Sequence, residues 1–261
     1  MGLRTLDLAT WLLVDEGREA ELARKRELLT ARPEDVVAAR SGTEAAGGEV
    51  LDLVVAWLGR HHRRLDRKVS AEPTLHPLDA AGRLVQEDLC LMMASDQGYR
   101  LEAASLCFPS HWRLHDKLGR SLAAIHAPVP HYAEELERKV DTFFDRLRSD
   151  RPVQRRNWSI HNHDELFVPG PFESPGSFAP DADGVGQVWL RSERQTLLRL
   201  PRTGAVLFTI KTQQCPIVAV TARPDIAASL ADVLRAQAID LSRRGDRVPF
   251  PGWLPDWLDE A

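Results

Sequence analysis

Arg194 is the residue whose type and position carry the most chemistry. The stretch Val185–Val220 reads as two long strands joined at Pro201-Arg202-Thr203-Gly204. Side chains alternate across a strand, so the even positions from Val188 to Leu200 form one face, which is apolar except for Ser192, Arg194 and Thr196. A charge on that inward face is too costly to leave uncompensated. Three readings compete: an internal ion pair with an Asp or Glu, a bound anion taken by the planar guanidinium fork, or a bulge that turns Arg194 outward. Gln195, Thr196 and Arg199 flank it as assisting donors.

Two histidine sites follow. His126 closes a short apolar segment, SLAAIH, and is held from behind by Pro128 and Pro130, a setting that suits an axial metal ligand. The bland alternative is a core or surface histidine that donates one hydrogen bond. Farther on, His161, His163 and Glu165 alternate, and on one strand face they would offer two imidazoles and a carboxylate to a non-heme metal. The bland reading there is a polar loop after the Trp158 strand.

The elements that must position these groups can be read in order. Residues 14–31 favour helix, by composition and by pairs such as Glu21 to Lys25, and Ser41–Gly48 reads as a linker. Val50–Arg60 is amphipathic, and no active-site chemistry is visible in this first part. Gly82–Met93 and Tyr99–Phe108 read as a hairpin around Gly98. Ser110 is then expected to cap a short helix, with Gly119 as its C′ residue. Residues 131–148 carry a stripe of Tyr132, Leu136, Val140, Phe143, Phe144 and Leu147, and VQRRNWSIH is a further strand. Residues 169–186 form a Pro/Gly-rich loop. Pro224-Asp225 opens a helix through about Ser242, with Ile226, Leu230, Val233 and Leu234 facing in, and WLPDWLDE is a docking tail. The class is α+β, an antiparallel sheet covered by helices.

Composition narrows the function classes. A chain of 261 residues with 43% hydrophobic content can bury a sizeable core, and a net charge of −4 gives no electrostatic case for nucleic acid despite the basic run Arg60–Lys68. No apolar stretch reaches the roughly 18 residues of a membrane span, and the N-terminus lacks a signal pattern, so a soluble cytoplasmic protein is expected. Cys90, Cys107 and Cys215 are too dispersed for a zinc clip or a disulfide framework.

The blocks RSERQTLLRLP with GAVLFTIKT, RRNWSIHNHDELFVP and KLGRSLAAIHAPVPHY resemble the heme-dependent oxidative N-demethylase family, in its dimethylamine monooxygenase α-subunit type. Weaker similarity at WLLVDEGREAELARKRELL, VQEDLCLM and GYRLEAASLCFPSHWRLHDKLG extends it over most of residues 11–220. The residues read as an N-terminal helical cap over 1–75 and a docking tail over 246–261, and the resemblance implies a PAS-like heme-binding domain over 76–245 between them. It implies heme b, with His126 as the iron ligand and His131 next in line, and with Arg194, Arg199 and Trp158 toward the cofactor. Arg194, Gln195 and Thr196 would serve catalysis. In the family, dioxygen is activated and a small secondary amine loses a methyl group as formaldehyde. The sequence has no GxGxxG, flavin motif or iron–sulfur cysteine set, so electrons from NADPH would arrive through a partner reductase. The chain departs from the family pattern at Gln213, where an aromatic residue is expected, and at the histidine-rich His161-Asn162-His163. Those departures bear on the substrate. A non-catalytic heme-binding sensor on the same scaffold is the further alternative.

Overall fold

The computed structural model describes residues 2–65, 76–96, 98–121, 124–125, 141–170, 182–244 and 248–261. Its strands are β1 Arg4–Thr5, β2 Val37–Ala39, β3 Asp88–Ser95, β4 Gly98–Ser105, β5 Val153–His161, β6 Trp189–Arg199 and β7 Val206–Pro216. They form a seven-stranded sheet in the order β1-β5-β6-β7-β3-β4-β2. The helices are α1 Arg18–Ala31, α2 Pro33–Val36, α3 Glu44–His61, α4 Pro77–Gly82, α5 Leu114–Lys117, α6 Pro224–Arg244 and α7 Leu254–Glu260. The class is α+β, as the sequence implies. Among the described residues no helix is long and apolar enough to cross a membrane.

The chain divides into two compact units. Unit 1 holds Met1–Arg156, Leu166–Gly170 and Arg194–Lys211; unit 2 holds Asn157–Glu165, Pro171–Glu193 and Thr212–Ala261. In unit 1, β3 is buried on both faces, and its alternation separates two cores. Leu89 and Leu91 join Val50, Val54, Trp57 and Leu58 of α3 and Leu78 and Ala81 of α4. Cys90 and Met92 join Phe144, Leu147 and Leu114 on the other side. Unit 2 has a core of its own, where Ala227, Ala231 and Leu234 of α6 meet Leu254 and Leu258 of α7. The C-terminal tail thus docks on its own unit.

Several expected elements stand. β5 spans the nine residues VQRRNWSIH, and the β3–β4 hairpin turns at Gly98, whose φ of +84° favours glycine. Gly119 follows α5 at φ +73° as its C′ residue. The described part of the 131–148 helix is 141–146; Tyr132, Leu136 and Val140 lie outside the described residues.

Others differ for definite reasons. Gly47 and Gly48 belong to α3 and not to a linker: a Cβ on Gly47 would lie 2.5 Å from Cε1 of His76, so this glycine lets the helix close on an imidazole. β3 begins at Asp88, because Pro77–Gly82 forms α4 with His76 accepting from the Leu78 N–H at its N-cap. Ser110 does not cap α5; it bridges Val168, and Arg113 holds the N-cap position. α6 turns Ala227, Ala231 and Leu234 inward and leaves Ile226 and Val233 about half exposed, because small residues let it lie close to α7. Glu21 and Lys25 do lie one turn apart on α1, but they do not bond each other, since each is claimed by a distant partner described below.

Candidate functional site

β6 carries four of the residues singled out in the sequence. From Arg194 on, the even face is the buried one, with Arg194, Thr196 and Leu198 all under 7% exposed. Arg194 is therefore inward, and the oxygens it donates to are neutral. Nε donates to Oε1 of Gln154 at 2.9 Å, Nη1 to the Trp11 carbonyl at 2.8 Å and Nη2 to the Thr10 carbonyl at 2.7 Å. Three of the five guanidinium donors are so engaged. Burial pulls its pKa below the ordinary value, with the charge of Glu87 acting the other way. Thr196 shares a 2.6 Å hydrogen bond with Thr209 across the β6–β7 pair. Gln195 and Arg199 lie on the opposite, half-buried face. Arg199 clasps the 141–147 stretch and the hairpin turn, donating to the carbonyls of Leu147, Phe144 and Gly204 and to the Tyr99 hydroxyl.

Behind Arg194 lies an ionic cluster that the sequence did not announce. Lys25 is fully buried, with Nζ on the carbonyls of Val85 and Glu87 and 3.8 Å from Asp88. Asp88 in turn accepts the N–H groups of Cys107 and Phe108 at 2.8 Å each. Lys211, 1% exposed, meets both oxygens of Glu21 at 2.7 and 2.8 Å and Asp15 at 3.4 Å. Burial pushes Asp15 up, but its hydrogen bond to Gln86 and the nearby Lys211 outweigh that and leave its pKa below the ordinary range. Burial pushes the Glu87 carboxyl up to about 7. The available signal was the run Gln86-Glu87-Asp88 at the head of an apolar strand, where three polar residues can persist only with partners.

Unit 2 gathers a different set. Arg191 is fully buried, with Nη2 3.3 Å from Oγ1 of Thr212 and Nε 3.4 Å from Glu193. His161, 4% exposed, shares a 2.8 Å bond between Nε2 and Oγ of Ser159, and its ring stands edge-on to that of His163 with centroids 5.3 Å apart. Nδ1 of His163 is buried without a partner among the described residues. Glu165 does not join this pair: β5 ends at His161, so alternation does not carry on to an exposed Glu165, and among the described residues no three His, Cys, Asp or Glu side chains gather as a metal site. The two-histidine-one-carboxylate alternative is thereby corrected. Trp158 is 36% exposed on β5. His126 and His131 lie outside the described residues.

A family model described as haem-dependent oxidative N-demethylase, alpha subunit-like, matches residues 2–243. The chain belongs to this family. Membership makes the chain a relative of an oxidoreductase that depends on heme, and the words "alpha subunit-like" point to an assembly with other subunits. Heme asks a protein for imidazole at iron and for cationic donors at its propionates. The chain has both kinds of donor: imidazoles at His126, outside the described residues, and at His161 and His163, and guanidinium groups at Arg194 and Arg191. His76 is excluded as a ligand because both ring nitrogens are taken, by the Leu78 N–H and by Thr43.

Proposed function

We propose that this chain is the heme-carrying subunit of a monooxygenase that removes a methyl group from a small secondary amine such as dimethylamine, using dioxygen and two electrons delivered from NADPH by a partner reductase. The observation that carries this reading is the family match over residues 2–243, together with buried arginines and histidines of the kinds a heme takes. The reaction balances as dimethylamine plus dioxygen, two electrons and two protons giving methylamine, formaldehyde and water. Bound heme b would supply the activation of dioxygen toward the N-methyl carbon. The domain that holds it is of PAS-like type, and the chain works in the cytoplasm.

The chain's own residues would hold and orient. His126 would hold the iron, in a sequence setting restricted by Pro128 and Pro130. Arg194 would offer its two remaining donors to a propionate or another cofactor-side anion, while its three bonds to Gln154, Trp11 and Thr10 fix the guanidinium plane. Thr196 shares the face of β6 that carries Arg194; Gln195 and Arg199 serve from the opposite face, where Arg199 sets the hairpin, and Trp158 has a partly open ring available to a cofactor.

The test is heme-loaded protein supplied with NADPH through a surrogate ferredoxin and its reductase. Dimethylamine should yield methylamine and formaldehyde in equal amounts, and heme-loaded protein that consumes no amine contradicts the reading. Arg194→Lys, which keeps the charge and loses the fork, should preserve the fold and loosen heme. If heme retention and the iron potential are unchanged while thermal stability falls, Arg194 serves structure alone.

A further inference from the structure

Residues Leu8–Asp15 cross unit 1 as a strap between β1 and α1. Among the described residues no backbone–backbone hydrogen bond reaches Leu12, Leu13 or Val14. The strap is held by side chains instead. Nε1 of Trp57 donates to the Leu8 carbonyl at 2.7 Å, and Arg194 donates to the carbonyls of Thr10 and Trp11. The Leu13 N–H donates to Oε1 of Glu87 at 2.7 Å, and Nε2 of Gln86 donates to Asp15 at 2.7 Å. Trp11 and Leu12 are buried beneath it in the α3 core.

Glu87 is the unusual hook. It is 1% exposed; one oxygen holds Leu13, and the other, Oε2, is buried with no partner among the described residues. The charged groups that act on it are Lys25 from α1, Arg194 from β6 and Lys211 from β7; the carboxylates nearby, Asp88, Asp15 and Glu21, pair with those lysines. The cations among them are engaged elsewhere: Lys25 on two carbonyls, Lys211 on Glu21 and Asp15, Arg194 on the strap itself. An ionised Glu87, held by the Leu13 N–H and its own backbone N–H, therefore keeps a full charge in a buried site with Oε2 bare, which is costly; protonation removes that charge.

We propose that Glu87 is a protonation-controlled latch: neutral, it holds the Leu8–Asp15 strap against unit 1, and ionised, it lets the strap lift so that water reaches the carboxylate. Burial supports this by pushing the closed-state carboxyl up to about 7, against an ordinary value of 4.5. The closed strap binds the proton more tightly than the lifted one. Its hold is complete below pH 4.5, weakens as pH rises toward 7 and is flat above that. Within that window the opening constant should rise about tenfold per pH unit.

Hydrogen–deuterium exchange on the full chain tests it, with rates corrected for the intrinsic pH dependence of exchange and the α3 amides as reference. Between pH 5 and pH 8 the amides of Trp11–Asp15 should lose protection by more than about tenfold relative to α3. Glu87→Gln keeps an acceptor for Leu13 and removes the proton equilibrium, so its strap should be equally protected at both pH values. Infrared spectra of the wild type should show a protonated-carboxyl band at pH 5 that is lost at pH 8, which decides the matter even if the variant fails to fold. Wild-type protection independent of pH, a variant that follows the wild type, or no protonated carboxyl at pH 5 overturns the proposal.

Discussion

The two units solve the same problem with opposite materials. Unit 1 carries Lys25, Asp88, Glu87, Lys211 and Arg194 inside, each under 6% exposed and each tied to segments far off in sequence. Unit 2 packs α6 on α7 through Ala227, Ala231, Leu234, Leu254 and Leu258, and keeps the charges of that contact at its surface, where Arg235 reaches Asp256 and Asp259 at 2.8 and 2.6 Å; its buried cation is Arg191, away on β6. Apolar packing is tolerant of detail. Buried charges are not, because each must meet a particular partner or leave a bare charge in a medium that cannot solvate it. Unit 1 therefore buys a defined arrangement around Arg194 and Glu87 at the risk of collapse when one member is removed.

Three substitutions sharpen this contrast. Lys25→Ala should be the most damaging: it leaves Asp88 without its buried cation and the Val85 and Glu87 carbonyls without a donor, at a cost of about 4 kcal/mol. A thermal or denaturant midpoint checks this, and a shift as small as that of a surface change would break the comparison. Leu234→Ala, at the centre of the α6–α7 contact, should cost about 3 kcal/mol in transfer and cavity terms and leave the unit 1 cluster intact. Its effect should be recovered in part by Leu234→Met, whereas no apolar residue at position 25 alone should rescue Asp88. Arg235→Ala should leave the midpoint unchanged, since solvent screens an exposed pair.

The same contrast explains what could be read from the sequence. Periodic features were legible: β5 at its full length, the inward face of β6 from Arg194 onward, and the turns at Gly98 and Gly119, where a positive φ demands glycine. The polar interior of unit 1 was not. Lys25 looked like the partner of Glu21 one turn away, yet its partners lie 60 and 62 residues on, and Arg194 bonds Trp11 across 183 positions. Local spacing cannot show such pairings; only the sheet brings them together. On α6 the apolar spacing predicts Ile226, Leu230, Val233 and Leu234 inward; Leu234 and Leu230 do pack on the core, while close approach to α7 selects Ala227 and Ala231 in place of Ile226 and Val233. His161 and His163 do sit together, while Glu165 falls beyond the strand end that the alternation assumed.

Whether the chain binds heme through an imidazole is read most directly from the absorption spectrum of the full chain titrated with hemin, for wild type beside His126→Ala and His163→Ala. A Soret band should saturate at one heme per chain and be lost or strongly weakened in His126→Ala but preserved in His163→Ala. A wild-type chain that takes up no hemin, or a spectrum indifferent to His126, would contradict this reading.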